Sequence, residues 1–212
     1  MRLIRDIFRD YAVLDTETGR HINGTDKQSN HAYGDAYERI LLKPDQSKGY
    51  HEVDSSFCSS VAPNAYVTIR SDVKLMMEVG IADGSSLLAW SEVFPNALCV
   101  GLDIHHADKA HGEHIEFHLG DQRSREDCER AAAGRQFDLI VEDATHRLED
   151  TLRTLLFLWP HVRPGGLYVV EEFANIGALR GNVAALWPNA NIVDTVGPSG
   201  GVEPLVVFRK PR

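Results

Sequence analysis

The chain has 212 residues, 43% hydrophobic and 25% charged, with 22 Lys and Arg against 31 Asp and Glu and a net charge of −9. That length and composition describe a globular chain with a sizeable core and exclude a low-complexity or disordered one. The acid excess, with a basic run only at Arg209-Lys210-Pro211-Arg212, argues against nucleic acid or an anionic membrane as partner.

The opening MRLIRDIFRDY has no apolar signal core, and Leu3, Ile4, Ile7, Phe8 and Tyr11 fit one helical face instead. Residues 1–72 are polar and turn-rich and read as a helical or lid region ahead of a core spanning 73–212. Within them Ala36 to Leu42 looks helical, Lys43 to Ser60 reads as a loop or lid, and Tyr66 to Ile69 as a short strand. Leu75 to Val79 is an apolar run of buried-strand length, broken by Gly80 and Gly84. Ser85 or Ser86 can cap the helix that follows, whose apolar face is Leu87, Leu88, Trp90 and Val93. After the Pro95-Asn96 turn, Ala97 to Leu102 is a second strand, ending at Asp103. Ile115 to Leu119 is a third, followed by Gly120-Asp121-Gln122 and a charged helix from Arg123 to Ala133. Phe137 to Val141 is a fourth. Leu148 to Leu158 is a helix with Leu152, Leu155, Leu156 and Trp159 inward. Pro164-Gly165-Gly166 turns into a fifth strand, Leu167 to Val170. Ile192 to Val196 and Leu205 to Phe208 close the chain as an antiparallel pair around a glycine-rich turn, Gly197 to Gly201. Strand–helix alternation of this kind gives an α/β fold, a parallel sheet covered by helices. No apolar run approaches the ~20 residues of a membrane span. Cys58, Cys99 and Cys128 are odd in number and far apart, which suits a reducing cytoplasm better than a disulfide framework.

Ligands of such sheets sit outside the carboxyl ends of the strands. Those ends read Glu78-x-Gly80, Asp103, Gly120-Asp121-Gln122, Glu142-Asp143-x-x-His146 and Glu171-Glu172, so all five are acidic. A carboxylate at Asp103 is placed to accept hydrogen bonds from two ribose hydroxyls. The glycines are spaced G-x-x-x-G, not G-x-G-x-x-G, and Asp83 between them is unfavourable for a pyrophosphate. A cofactor without phosphate and with a cationic centre fits better. Glu78, Gly80, Gly84 and Ser85 together with Asp103 resemble the first motif of class I S-adenosylmethionine (SAM) methyltransferases. In such folds Asp121, with Gln122 beside it, lies near the adenine amino group; Asp121 also reads as a helix cap, and one residue can do both.

If the fourth and fifth strands are neighbours, Asp143, Glu171 and Glu172 converge on one spot. Such a cluster is costly unless a proton or a cation compensates it. A hard divalent cation does so: magnesium takes oxygen ligands and keeps positions open for water or substrate. His146, three residues past Asp143, then overhangs the ion and is placed as the base that accepts a hydroxyl proton. The bland reading makes these acids helix caps and His146 a surface residue at a helix start. The histidines between Asp103 and His114 match no zinc spacing and read as a solvated loop.

Together these residues resemble the magnesium- and SAM-dependent sugar O-methyltransferases of natural-product pathways, such as the macrocin and mycinamicin enzymes, and the related proteins labelled cephalosporin hydroxylase. Gly24-Thr25-Asp26-Lys27 and His31-x-Tyr33-x-x-x-Tyr37-Glu38 look like the family's N-terminal signature. Glu78-Val79-Gly80, Gly101-Leu102-Asp103-Ile104, Gly120-Asp121-Gln122 and Arg163 to Glu171 continue it. The family usually has Asp-Asp-Gly-Ser-His where this chain has Glu142-Asp143-Ala144-Thr145-His146, and Glu-Asp where it has Glu171-Glu172. The insert from Lys43 to Asp72 also looks longer than usual. The layout further resembles catechol O-methyltransferase, with Asp143 and Glu172 at metal-ligand positions and His146 at the catalytic lysine. The resemblance implies a Rossmann-like three-layer sandwich on a mostly parallel seven-stranded sheet with an antiparallel C-terminal strand. It implies SAM and Mg2+ as cofactors, a glycoside or diol acceptor, and a homo-oligomer. The rivals are a catechol-type small-molecule methyltransferase and a non-catalytic methyltransferase-like scaffold.

Overall fold

A computed structural model of the chain describes residues 2–14, 16, 21–29, 31–42, 68–172, 190–193 and 205–212. The expected lid from Lys43 to Ser60, Cys58 and the turn from Gly197 to Gly201 lie outside these residues. The N-terminal part holds helix α1 (Ile4–Asp10), the antiparallel pair β1 (Ala12–Leu14) and β2 (His21–Gly24), helix α2 (Tyr33–Ile40), and a short parallel pair, β3 (Leu41–Leu42) with β4 (Thr68–Ile69). Then come β5 (Leu75–Val79), α3 (Ser85–Val93), β6 (Leu98–Asp103), β7 (Ile115–Leu119), α4 (Arg125–Ala132), β8 (Phe137–Glu142), α5 (Leu148–Leu158), β9 (Val162–Val170), β10 (Ala190–Val193) and β11 (Leu205–Arg209).

The last seven strands form one sheet in the order β10-β11-β9-β8-β5-β6-β7. Its five central and edge strands β5 to β9 are parallel, while β11 runs antiparallel to both β9 and β10. The chain winds from β5 outward through β6 to β7, then returns to place β8 on the other side of β5. The order therefore reverses between β5 and β8, and a crevice opens at their carboxyl ends.

Both faces of the sheet are covered, so alternate residues of each strand enter two cores. Met76, Leu139, Val141, Leu167 and Val169 pack with α1, α2 and α3 on one face. Met77, Val79, Ile140, Tyr168 and Val170 pack with α4 and α5 on the other. Trp90 of α3 anchors the first core: Phe8 and Tyr37 meet it edge-on, both with ring centroids 4.8 Å away. Each such pair adds ~0.5–1.5 kcal/mol beyond burial, which welds α1 and α2 to the sheet.

Several local expectations change. Helix α2 starts at Tyr33 and ends at Ile40, and Leu41 and Leu42 pass into a strand. Neither serine caps α3: its N-cap is Gly84 at φ +91°, Asp83 Oδ1 accepts from Ser85 N, and Ser86 Oγ donates to Glu78. Ser124, not Asp121, caps α4, accepting from Asp127 N. Leu156 is 64% exposed, because the buried side of α5 is Thr151, Thr154, Leu155 and Leu158. The two threonines fit there because Thr154 returns its hydroxyl to Asp150 O. Strand β9 begins at Val162, running through Pro164-Gly165-Gly166 where a turn was expected.

Candidate functional site

A cavity of about 490 Å³ opens at the carboxyl ends of β5 to β9, within the ~300–1,000 Å³ range of small-molecule sites. One half is walled by residues 80–83, 103–105 and 120–123, and the other by residues 143–146, Glu172 and residues 24–26.

In the first half the turn after β5 lies close against β8. Gly80 has φ +84°, and a Cβ there would stand 2.3 Å from Asp143 O, so only glycine fits. Asp103 organises the following loop: its Oδ2 accepts from Ile81 N (2.8 Å) and Ala82 N (3.0 Å), and its Oδ1 from His105 N (2.8 Å). Three acceptor positions are thereby used, and a carboxylate has about four. Asp83 is not left as a bare charge. Lys109 Nζ reaches it at 2.7 Å and Ser85 N at 2.9 Å, and although burial opposes the shift these partners hold its pKa below the ordinary value. Asp121 accepts from the Arg123 guanidinium (2.7 Å) and from Arg123 N, which lowers its pKa. Gln122 is buried and donates to Thr145 Oγ1 at 2.9 Å, which leaves its Oε1 without a protein partner. An unpaired buried acceptor beside a cavity is costly, and it suits an incoming N–H such as the adenine amino group.

Glu78, Gly84 and Ser85 do not line the cavity. Glu78 shares the strand parity of Met76 and so points into the face covered by α3. There it accepts from Ser86 Oγ (2.8 Å) and Trp90 Nε1 (3.2 Å) with no exposure at all.

The second half holds the acids, and they are organised by Lys27, which the sequence places in the N-terminal signature without showing its role. Lys27, 1% exposed, places Nζ 2.6 Å from Glu171 Oε2, 2.7 Å from Asp143 Oδ2 and 3.1 Å from Glu78 Oε1. Burial draws the ammonium pKa down, but the three carboxylates more than reverse this and Lys27 stays charged. One ammonium cannot balance three carboxylates. Burial therefore raises the pKa of Glu78 and, further, of Glu171, against the opposing pull of Lys27. Glu171 also accepts from Tyr37 OH at 2.6 Å and lies off the cavity wall, whereas Asp143 and Glu172 are on it.

Glu172 is held by the same N-terminal stretch. Tyr33 OH accepts from Glu172 N at 3.1 Å, and His31 Nε2 lies 2.8 Å from Glu172 Oε1 and 3.1 Å from Asp26 Oδ2. Hydrogen bonding by His31 sets the Glu172 pKa below its ordinary value in spite of burial. His146 reaches Glu172 Oε2 with Nε2 at 3.5 Å and faces Asp143 Oδ1 with Nδ1 at 4.0 Å. Among the described residues, Asp26, His31 and Glu172 bring their ligand atoms within 4.8 Å of one another, and His146 stands between Asp143 and Glu172. These oxygen-rich sets carry more negative charge than Lys27 cancels, so they fit a hard divalent cation.

Comparison with known proteins settles the fold family. The sequence profile of a methyltransferase domain matches residues 77–173. Demethylmacrocin O-methyltransferase of Streptomyces fradiae is 36% identical over 112 residues, 49% of this chain and 28% of that protein. Mycinamicin VI 2''-O-methyltransferase of Micromonospora griseorubida is 35% identical over 113 residues, again 28% of its length. The chain thus spans under a third of these relatives. The solved MycE methyltransferase of the mycinamycin pathway, in complex with Mg, SAH and mycinamycin VI, superposes with a TM-score of 0.54 at 26% identity over 67% of this chain and 46% of that one. Within the matched residues, Gly80, Asp103, Asp121 and the pair Asp143 and His146 stand at successive strand ends. The residues that hold its acids from behind, Lys27, Tyr33 and Tyr37, lie outside residues 77–173 altogether.

Proposed function

We propose that the chain transfers a methyl group from SAM to a hydroxyl of a glycosylated natural product, assisted by a divalent cation, with Mg2+ as the expected ion. The observation that carries this reading is a single cavity in which a nucleoside-type wall, Gly80, Asp103 and Gln122, faces an acid and imidazole wall, Asp143, His146 and Glu172. The homologous enzymes named above act on macrolide glycosides, which supports a sugar hydroxyl as acceptor. Among the described residues no helix is long and apolar enough to cross a membrane. A cytoplasmic location is part of this proposal. Assembly into homo-oligomers remains part of this proposal.

The residues divide the work. Gly80 leaves the backbone bare for close approach at the methionine end, Asp103 offers its remaining acceptor position to the ribose, and Gln122 Oε1 with Asp121 takes the adenine edge. Asp143 and Glu172 would hold the divalent ion from the cavity wall, while Glu171 stands behind it against Lys27. When bound, SAM supplies an electrophilic methyl group and the ion a Lewis acid that lowers the pKa of the acceptor hydroxyl. His146 would accept the proton that the acceptor hydroxyl gives up. Holding the two reactants in line contributes much of the rate.

The test is methyl transfer to a panel of macrolide glycosides, simple glycosides and nucleotide sugars, with Mg2+ and with excess chelator. Turnover of glycosides that chelator abolishes and Mg2+ restores is expected. SAM binding with no turnover on any hydroxyl acceptor would favour a scaffold, and turnover confined to catechols would replace the sugar by a flat aromatic.

A further inference from the structure

Lys27 reaches the acid cluster from the side away from the cavity. Strand alternation turns Glu78 and Glu171 toward the face covered by α2 and α3, and Lys27 enters between them with 1% exposure. The ammonium donates to Glu171 at 2.6 Å and Asp143 at 2.7 Å, and Glu78 Oε1 is an ion-pair partner at 3.1 Å. Lys27 is buried and lies off the cavity wall, so it does not reach a ligand there. Its effect on the cavity passes through Asp143, whose Oδ2 it holds at 2.7 Å while Oδ1 faces His146.

We infer that Lys27 is an internal cation that fills the inner half of the carboxylate cluster and confines a bound divalent ion to the outer half at Asp143 Oδ1 and Glu172. The inference rests on the divalent-ion reading above and makes Lys27 a positioning residue. Its three oxygen partners lie 2.6–3.1 Å from Nζ, on one centre. Three carboxylates gathered on one point are the donor set a hard cation takes. Without the lysine that point becomes a divalent-ion site, and its electrostatic competition with the outer ion disappears. A lysine that served only as a fold prop would change stability and leave ion binding alone.

The experiment is a titration of the metal-free protein with Mn2+ alone, without SAM or acceptor, followed by the free-ion electron paramagnetic resonance signal. Wild type, Lys27→Met and Lys27→Arg are compared, the last keeping the cation. Wild type and Lys27→Arg should bind with similar affinity. Lys27→Met should bind Mn2+ at least about tenfold more tightly, or take up an additional ion. Loss of the buried cation can unfold the variant. In that case millimolar Mn2+ should restore its circular dichroism spectrum, because an ion bound only by the folded state stabilises that state. A folded Lys27→Met protein with wild-type affinity and stoichiometry would overturn the inference, as would an unfolded one that Mn2+ does not rescue. Failure of wild type to bind Mn2+ at millimolar concentration would instead remove the divalent-ion reading itself.

Discussion

His146 and Glu172 both hold left-handed backbone conformations, at φ +56° and +48°, and their side chains meet with Nε2 and Oε2 3.5 Å apart. One leaves the end of β8 and the other the end of β9. Left-handed φ costs a non-glycine residue roughly 1 kcal/mol or more, and such strain clusters at functional sites. Here it swings an imidazole and a carboxylate toward each other across the cavity mouth.

His146→Ala should lose about 10²–10⁴-fold in kcat and keep its affinity for S-adenosylhomocysteine. The imidazole faces Glu172 and Asp143, not the Asp103 wall. Steady-state kinetics beside calorimetry make the comparison. A rate within about threefold of wild type would leave His146 no role as base.

Asp103→Ala should weaken cofactor binding by ~1–3 kcal/mol, about 5- to 150-fold. Two losses combine: the acceptor for the ribose, and the carboxylate that orders Ile81 N, Ala82 N and His105 N. Asp103→Asn keeps one acceptor oxygen and should fall between alanine and wild type. Unchanged affinity in both variants, measured by calorimetry, would take Asp103 out of the site.

Cys99 and Cys128 should resist alkylation in the native protein at pH 8. Burial pushes both thiols up to about 12, leaving almost no thiolate. Mass spectrometry after brief iodoacetamide treatment should find label at neither residue until denaturant is added. Rapid native labelling of either would show that α3 or α4 opens readily.

Glu116 and Arg135 tie β7 to the turn after α4 through two hydrogen bonds of 2.8 Å. Those bonds, aided by His118, take the Glu116 pKa from 4.5 to about 2 against the opposing effect of burial. A depressed carboxylate stabilises the fold above its unfolded pKa, and the contribution fades as pH falls through the folded value. The Glu116→Gln variant should therefore be less stable than wild type at pH 7, by about 1 kcal/mol or less because the pair is partly exposed. The gap should close between pH 4.5 and about 2. Urea melts across that range check it, and a gap that persists at pH 2 would assign the cost to packing.

Much of this protein was legible in the sequence because the signals are local. The apolar runs of β5, β6 and β8 fix those strands, and the order of strands and helices fixes a parallel sheet whose carboxyl edge carries Gly80, Asp103, Asp121 and Asp143; the existence of α5 was legible, but not its buried side. Side-chain direction at the strand ends was not legible. Glu171 and Glu172 are adjacent in sequence and equal in charge, yet one lies under α2 against Lys27 and Tyr37 while the other faces the cavity with His31 and His146. Both follow the end of β9 at Val170, and the left-handed turn of the backbone at Glu172 (φ +48°) sends its side chain to the cavity, a change of direction that the sequence does not state. The role of Lys27 was out of reach as well. Its partners Glu78, Asp143 and Glu171 lie 51, 116 and 144 residues away, and a charge cluster in a sequence states that compensation is needed without saying whether a bound ion or the chain's own ammonium supplies it. Tertiary packing supplied the ammonium, because docking α2 beside Trp90 carries residues 24–31 across the ends of β5, β8 and β9.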